Sequence, residues 1–421
     1  MELKVSQMAE HLIGSEIIKL AGEVKAKIAN GEKIYDLTIG DFNPKIFPIP
    51  TALKEEIIAA YEHEETNYPP ANGMEPLRKS IASFLEKEQG LVYSPDELLV
   101  AGGARPLIYA LYQAILDPQD KVVFPVPSWN NNHYTHLAHS QKVFVETKAE
   151  NNFMPSATEL KDLIGVASLV ALCSPLNPTG TVFSKAQLAS ICELVLDENR
   201  RRNEKGEKPV YLMYDQIYNL LTFGETKHYD PVSLYPEMRP YTIFIDGISK
   251  SLAATGVRVG WAFGPGKVID KMKSILGHIG AWAPKAEQVA SAKYLQQVEQ
   301  VDAYLTHFKS EVAFRLTSIF EGFQALKQKG YKVHVIAPQA AIYLSVQFDL
   351  VGKTTESGDV LSDVKAVTSY LLNEAKLAIV PFYAFGTSND STWYRISIGT
   401  LKREDIPAMF IQLEDALAKL K

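Results

Sequence analysis

"IDGISKSLAATGVRVGWAFG", residues 245–264, sets Lys250 between two serines just past an apolar run, with Arg258 eight positions later. Lysine is seldom buried without a partner, and desolvation makes its ammonium give up a proton more easily. A neutral amine is a nucleophile that forms a Schiff base with a carbonyl. A lysine at the end of a buried strand, with an arginine close behind, therefore raises the question of whether this amine is covalently occupied.

The stretches outside this one repeat the pattern of apolar strand followed by polar turn. "ELLVAGG" (97–103) reads as a strand running into a glycine turn, and "PLIYALYQAIL" (106–116) as the helix after it. "KVVFPV", "SLVALCS", "PVYLMYD" and "YTIFID" are further short buried runs. Apolar strands separated by helices imply a mainly parallel sheet covered on both faces, with ligands beyond the carboxyl ends of the strands. Residues 15–29 carry apolar positions at helical spacing after a candidate Ser15 cap, and "IYDLTIG" (34–40) reads as a strand before the proline-rich "NPKIFPIP". Ser94 and Glu97 form a candidate capping box. "AAIYLSV", "LAIVPF" and "YRISIG" read as strands of a second region, closed by the helix "IPAMFIQLEDALAKL". The mixed charges of "DENRRRNEKGEK" (197–208) read as a solvated helix end and loop.

With 421 residues the chain is long enough for two domains. The expected division is an N-terminal segment 1–48 that joins the small domain, a large domain 49–310 and a C-terminal small domain 311–421. Lys+Arg of 43 against Asp+Glu of 49 argues against a nucleic-acid or anionic-membrane surface. Cys173 and Cys192 are too few for a disulfide or metal framework and read as packing residues in a reducing compartment. The N-terminus has no apolar h-region and no run approaches about 18 apolar residues, so the expectation is a cytoplasmic protein.

Each strand ends in something chemical. Gly102-Gly103-Ala104-Arg105 leads into a helix whose free N–H groups suit a phosphate, although a plain turn has the same composition. Trp129 offers a flat ring after "KVVFPVP", and Asn177 sits in the proline-stiffened turn "PLNPTG". Asp215 closes an apolar run, where a carboxylate needs a cation, strong donors or a helix to cap. In "WYRISIG", Tyr394, Ile396 and Ile398 share one strand face and leave Arg395 on the other, with a planar guanidinium suited to a carboxylate. Phosphate donors, a stacking ring, a carboxylate and a Schiff-base lysine together fit a phosphorylated pyridine aldehyde, pyridoxal phosphate.

In order and spacing, "NYPPANGMEPLR" (67–78), "AGGARPLIYALYQAILDP" (101–118), "SPLNPTG" (174–180), "YDQIY" (214–218), "SKSLAATGVRVGW" (249–261) and "YRISIG" (394–399) resemble the class I/II aminotransferases, fold-type I pyridoxal-phosphate enzymes. The resemblance implies Lys250 as the Schiff-base and proton-transfer lysine, Asp215 on the pyridine nitrogen, and Asn177 with Tyr218 on the ring oxygen. It implies Trp129 against the ring, and Gly103, Ala104, the Arg105 backbone, Ser249 and Arg258 on the phosphate. Tyr68 would reach the phosphate of a neighbouring subunit, which implies a homodimer with shared active sites. Arg395, with Gly40 and Asn177, would hold the substrate α-carboxylate. The implied reaction moves an amino group from an amino acid to a 2-oxo acid in a ping-pong cycle. A β-lyase or decarboxylase, or a non-catalytic cofactor-binding regulator, are the alternatives. Gly247 replaces a frequent hydroxyl residue, which implies one phosphate hydroxyl fewer; Ala104 stands where some aspartate-using relatives are basic, which weakens a dicarboxylate reading; and "GDFNPKIFPIP" (40–50) is atypical, which implies a different substrate-side lid. Tyr134, His278, Trp282, Tyr383 and Phe385 are candidates for the side-chain pocket.

Overall fold

The computed structural model describes residues 4–12 and 16–421, without the side chains of 16–18. The Ser15 cap therefore lies outside the described residues, while the helix it was to open runs Glu16–Ala29.

A seven-stranded sheet forms the larger part. Its strand order is 98–101, 260–263, 242–247, 211–215, 167–173, 121–126, 141–146. All neighbours from 242–247 to 141–146 are parallel, and only Gly260–Phe263 runs against the rest. Alternate side chains of a strand leave by opposite faces, and the core divides accordingly. Leu98, Val100, Leu212, Tyr214 and Phe244 join one buried cluster, whereas Leu99, Ala101, Met213, Ile243 and Ile245 join another on the opposite face. Both faces being covered explains why these strands read as unbroken apolar runs. The outermost strand, Gln141–Glu146, alternates exposed and half-buried positions and carries Lys142 and Glu146, which suits an unpaired edge.

A second core gathers residues from both ends of the chain, from Tyr35 and Leu37 to Leu413 and Leu417. Its antiparallel sheet has the order 380–381, 393–397, 343–348, 333–335. The 31-residue helix Val298–Gln328 serves both cores, with Val301 and Leu305 in the first and Phe308 to Leu326 in the second.

Three local expectations change. "IYDLTIG" yields only the two-residue strand Tyr35–Asp36, parallel to Leu377–Ala378. Beyond it the carbonyls of Thr38 and Ile39 accept from the side chains of Arg395 and Ser397 instead of a neighbouring strand. "LAIVPF" divides into two short strands, Leu377–Ala378 and Val380–Pro381. The stretch 197–208 is not wholly solvated. Arg202 and Glu198 are both buried and paired at 2.6 Å, and Arg202 also donates to the carbonyls of Lys208, Ile164 and Gly165. The capping box does form, with the Ser94 N–H donating to Glu97 at 3.0 Å, but it opens a single 3₁₀ turn. Among the described residues, no helix is long and apolar enough to cross a membrane.

Candidate active site

A cavity of about 1020 Å³ opens at the carboxyl ends of the parallel strands and is closed on the far side by the second core. The strand Thr242–Gly247 is buried throughout, and a four-residue helix, Ile248–Ser251, then carries Lys250 to the cavity. The Lys250 ammonium donates to the Gly40 carbonyl at 2.5 Å. Desolvation, helped by Arg395, Arg105 and Arg258 and opposed by Asp41, brings its pKa down to about 8. A fraction of neutral amine is therefore present near neutral pH.

Asp215 ends its strand on the cavity wall, and its Oδ1 accepts the Ile217 N–H at 3.1 Å. It caps a turn rather than a helix. With burial outweighing that single donor, its pKa rises to about 6. Tyr218 is buried in the same turn, with its hydroxyl 2.6 Å from that of Tyr343.

The glycine turn leads directly into the helix Ala104–Ile115, whose first N–H groups lack intrahelical partners. Gly103 has φ +94°, and a Cβ there would run into the Arg258 guanidinium. That guanidinium donates to the Thr255 and Gly102 carbonyls at 2.7 and 2.8 Å, which pins it over the turn. Gly247 explains one departure in the sequence. A Cβ there would lie 2.8 Å from Gly260 Cα and 2.9 Å from the Val259 carbonyl, so the close strand approach leaves no room for a hydroxyl residue. Ser249 is buried on the cavity wall, and its hydroxyl has no partner among the described residues.

Arg395 reaches the cavity from the second core. It donates to Asn177 Oδ1 at 3.0 Å and to the Thr38 carbonyl at 2.5 Å, while its Nε has no partner among the described residues. Its guanidinium lies 4.8 Å from the Tyr343 ring and 4.9 Å from that of Phe385. Trp129 lines the wall with the Arg105 guanidinium 4.7 Å from its ring centroid.

The structure thus brings Gly40, Ala104, Arg105, Trp129, Asn177, Asp215, Tyr218, Ser249, Lys250, Arg258 and Arg395 to one cavity. Gly103 lies immediately behind it, and Tyr68 lies outside it, 82% exposed, with its ring edge on Trp282. Of the pocket candidates, Tyr134 lines the cavity, Phe385 backs Arg395, and His278, Trp282 and Tyr383 are not on the wall. Sequence reasoning missed three groups. Asp41 is on the wall and accepts the Thr255 hydroxyl at 2.7 Å. Tyr343 lay unmarked in an apolar strand, and Cys173, read as packing, faces the cavity.

These groups suit pyridoxal phosphate. A half-buried, desolvated carboxylate with no cation beside it among the described residues calls for a protonated ring nitrogen, and an orphaned serine hydroxyl beside an arginine and a helix start calls for a phosphate. Fold and cavity together define a fold-type I pyridoxal-phosphate enzyme. The profile of the family "Aminotransferase class I and II" matches residues 32–409, and the chain belongs to that family.

Its relatives cover almost its whole length. It is 29% identical over 384 residues to an aspartate aminotransferase of Bacillus sp. (strain YM-2), spanning 90% of this chain and 91% of that one. It is likewise 29% identical to a probable aspartate/prephenate aminotransferase of Rickettsia felis, over 89% and 87% of the two chains. The crystal structure of the Rhizobium meliloti aspartate aminotransferase superposes with a TM-score of 0.90 at 26% identity, covering all of both chains. The Thermus thermophilus aspartate aminotransferase with maleate gives 0.86, also at 26% identity, over 99% of this chain and 100% of that one. The protein is accordingly a pyridoxal-phosphate-dependent amino acid aminotransferase, with an amino acid and a 2-oxo acid as its substrates.

Proposed function

We propose that the amino donor is an acidic amino acid, aspartate foremost, and that the enzyme works as a cytoplasmic homodimer. The observation that carries the substrate reading is a count of charges. Arg258, Arg395 and Arg105 all face the cavity. A cofactor phosphate and a substrate α-carboxylate account for the first two. Arg105 is held against the Trp129 ring, free to meet a second carboxylate. It stands beside Ala104, the position that is basic in some aspartate-using relatives, and supplies the charge from one residue further on. The names of the relatives agree with this reading.

Bound pyridoxal phosphate supplies an aldehyde that condenses with amines and a protonated ring that takes up an electron pair from the substrate Cα. The chain's part in that chemistry is positional and acid–base. Lys250 holds the cofactor and, when released, carries the proton from the substrate Cα through its neutral Nζ, for which its lowered pKa is suited. Asp215 would keep the ring nitrogen protonated, Asn177 and Tyr218 would meet the ring oxygen, and Trp129 would lie against the ring. The Gly103, Ala104 and Arg105 amides, Ser249 and Arg258 receive the phosphate. Arg395, with Gly40 and Asn177, grips the α-carboxylate.

The dimer reading is supported by Tyr68, which is exposed and does not line its own cavity, as a residue serving another subunit's phosphate would be. The division at residues 48/49 and 310/311 is supported by the two cores, which meet within the helix Val298–Gln328. The cytoplasmic reading is supported by two free cysteines.

Single-turnover absorbance measurements with aspartate, glutamate, alanine and phenylalanine test the substrate reading. The acidic donors should react fastest, and Arg105→Met should slow them by roughly 10- to 100-fold while sparing alanine. Equal losses for all donors would place the Arg105 side chain on the phosphate and refute the substrate assignment.

A further inference from the structure

Tyr343 opens the strand Tyr343–Phe348 and reaches the cavity from the second core, although it is almost wholly buried. Three site groups meet around it. Its hydroxyl is 2.6 Å from the Tyr218 hydroxyl. Its ring lies 4.8 Å from the Arg395 guanidinium. A Cβ on Gly40, whose carbonyl receives Lys250, would stand 2.7 Å from its hydroxyl oxygen. The strand register explains the convergence. Tyr343 pairs with Ser397 and Ser345 with Arg395, so Tyr343 and Arg395 leave the same sheet face at diagonal positions.

Burial raises the pKa of both phenols, so each carries one proton at neutral pH. Two hydroxyls in contact share a single hydrogen bond, and the protein by itself permits either direction. A ligand oxygen in front of Tyr218 removes that freedom. If Tyr218 gives its one proton to the ring oxygen, it can only accept from its neighbour, and Tyr343 becomes the donor.

We infer that Tyr343 is a positioning residue that donates to Tyr218, orients the Tyr218 proton toward the cofactor ring oxygen and strengthens that bond. The inference rests on the placement of Tyr218 against the ring oxygen given above. Chained hydrogen bonds polarise one another, so a phenol that accepts a bond is a better donor. A ring oxygen that receives a stronger bond holds less free negative charge. It then retains less firmly the proton on the nitrogen through which Lys250 holds the cofactor, and that proton is lost at lower pH. Tyr343 thus helps to set the pH at which the resting enzyme titrates. Its ring, separately, seats Arg395.

The test is a pH titration of the absorbance of the holoenzyme in wild type, Tyr343→Phe, Tyr218→Phe and the double variant. Tyr343→Phe keeps the ring and removes the donor. Its titration midpoint should rise by a few tenths to about one pH unit, the scale of one modest hydrogen bond. KM for amino donors should stay near wild type, because Arg395 keeps its ring. The Tyr343→Phe substitution should shift nothing further in the Tyr218→Phe background, since its effect passes through Tyr218. A wild-type midpoint in Tyr343→Phe, a full shift in the double variant, or failure of Tyr343→Phe to hold cofactor would each overturn the inference. If Tyr218→Phe itself leaves the midpoint unmoved, the placement of Tyr218 is wrong, which is a separate failure seen in a separate variant.

Discussion

Replacing Asp215 with Asn should make the cofactor-free protein more stable while it damages catalysis. Burial lifts the Asp215 pKa to about 6 from its ordinary 3.8. A carboxyl whose folded pKa is raised favours folding most when protonated, so its contribution is complete below about pH 3.8 and is lost as pH rises through about 6. The difference of roughly 2.2 units corresponds to about 3 kcal/mol at pH 8 and, by the same linkage, about half that at pH 5. This is an upper limit, because Asp215 is only half-buried. Asparagine keeps an oxygen for the Ile217 N–H and carries no charge to desolvate. For 421 residues, at about 2 cal/mol/K of unfolding entropy each, 3 kcal/mol is worth roughly 3 °C in Tm. Calorimetry of the apoprotein at pH 8 and pH 5 measures this directly. The variant should melt higher at pH 8, with the gain shrinking at pH 5. With cofactor bound, it should lose on the order of 10²–10³ in kcat, as when one charge-stabilising contact is removed. An apoprotein gain that is absent, or identical at both pH values, would refute the account of Asp215 as a buried charge awaiting a cation.

Lys250→Ala should abolish turnover, and borohydride reduction of wild type should attach the cofactor only to the peptide containing Lys250; mass spectrometry that finds another lysine labelled ends the assignment. Arg395→Ala should lower kcat/KM for every amino donor by roughly 30- to several-thousand-fold, with Lys restoring only part because a point charge cannot make two parallel contacts. Selective loss by substrate side chain, measured on the same donor panel, would contradict it. Gly103→Ala should weaken cofactor binding by at least tenfold in equilibrium dialysis, since the added carbon displaces Arg258 and strains a backbone at φ +94°; wild-type affinity would show that Arg258 does not need that place.

The large sheet was legible because all of its strands except the outermost, Gln141–Glu146, are buried on both faces and so read as apolar runs, and because several of those runs end in one conspicuous polar residue. Lys250, Asp215 and Asn177 are local signals of that kind. Tyr343 carried none. An aromatic residue in a strand looks like packing until the Tyr218 hydroxyl is found 125 positions away. Arg202 failed for a related reason. Its charge suggested solvent, but its donors are used by Glu198 one turn earlier on the same helix and by the Ile164 and Gly165 carbonyls, and no periodicity reveals the second of these contacts. Gly247 shows the opposite case, in which a missing hydroxyl looked like a lost ligand and proved to be a steric demand of the neighbouring strand.

The contacts between Arg395 and the Thr38 carbonyl, and between Ser397 and the Ile39 carbonyl, join positions 357 and 358 residues apart. During synthesis the residues around Leu53 to Leu305 emerge with most of their core partners already made, and domains generally fold as units in that order. The segment around Tyr35–Ile39 has to wait, because the strand and the arginine that receive it come last. Closing so long a loop is slow, although its entropic cost grows only gently with length. A ribosome-bound chain can therefore shape the wall that carries Lys250, Asp215 and Arg258 well before Arg395 is in place. Assembly of the cavity proceeds from the strand ends toward the second core, and Tyr35 and Leu37 are covered only when the last strands arrive.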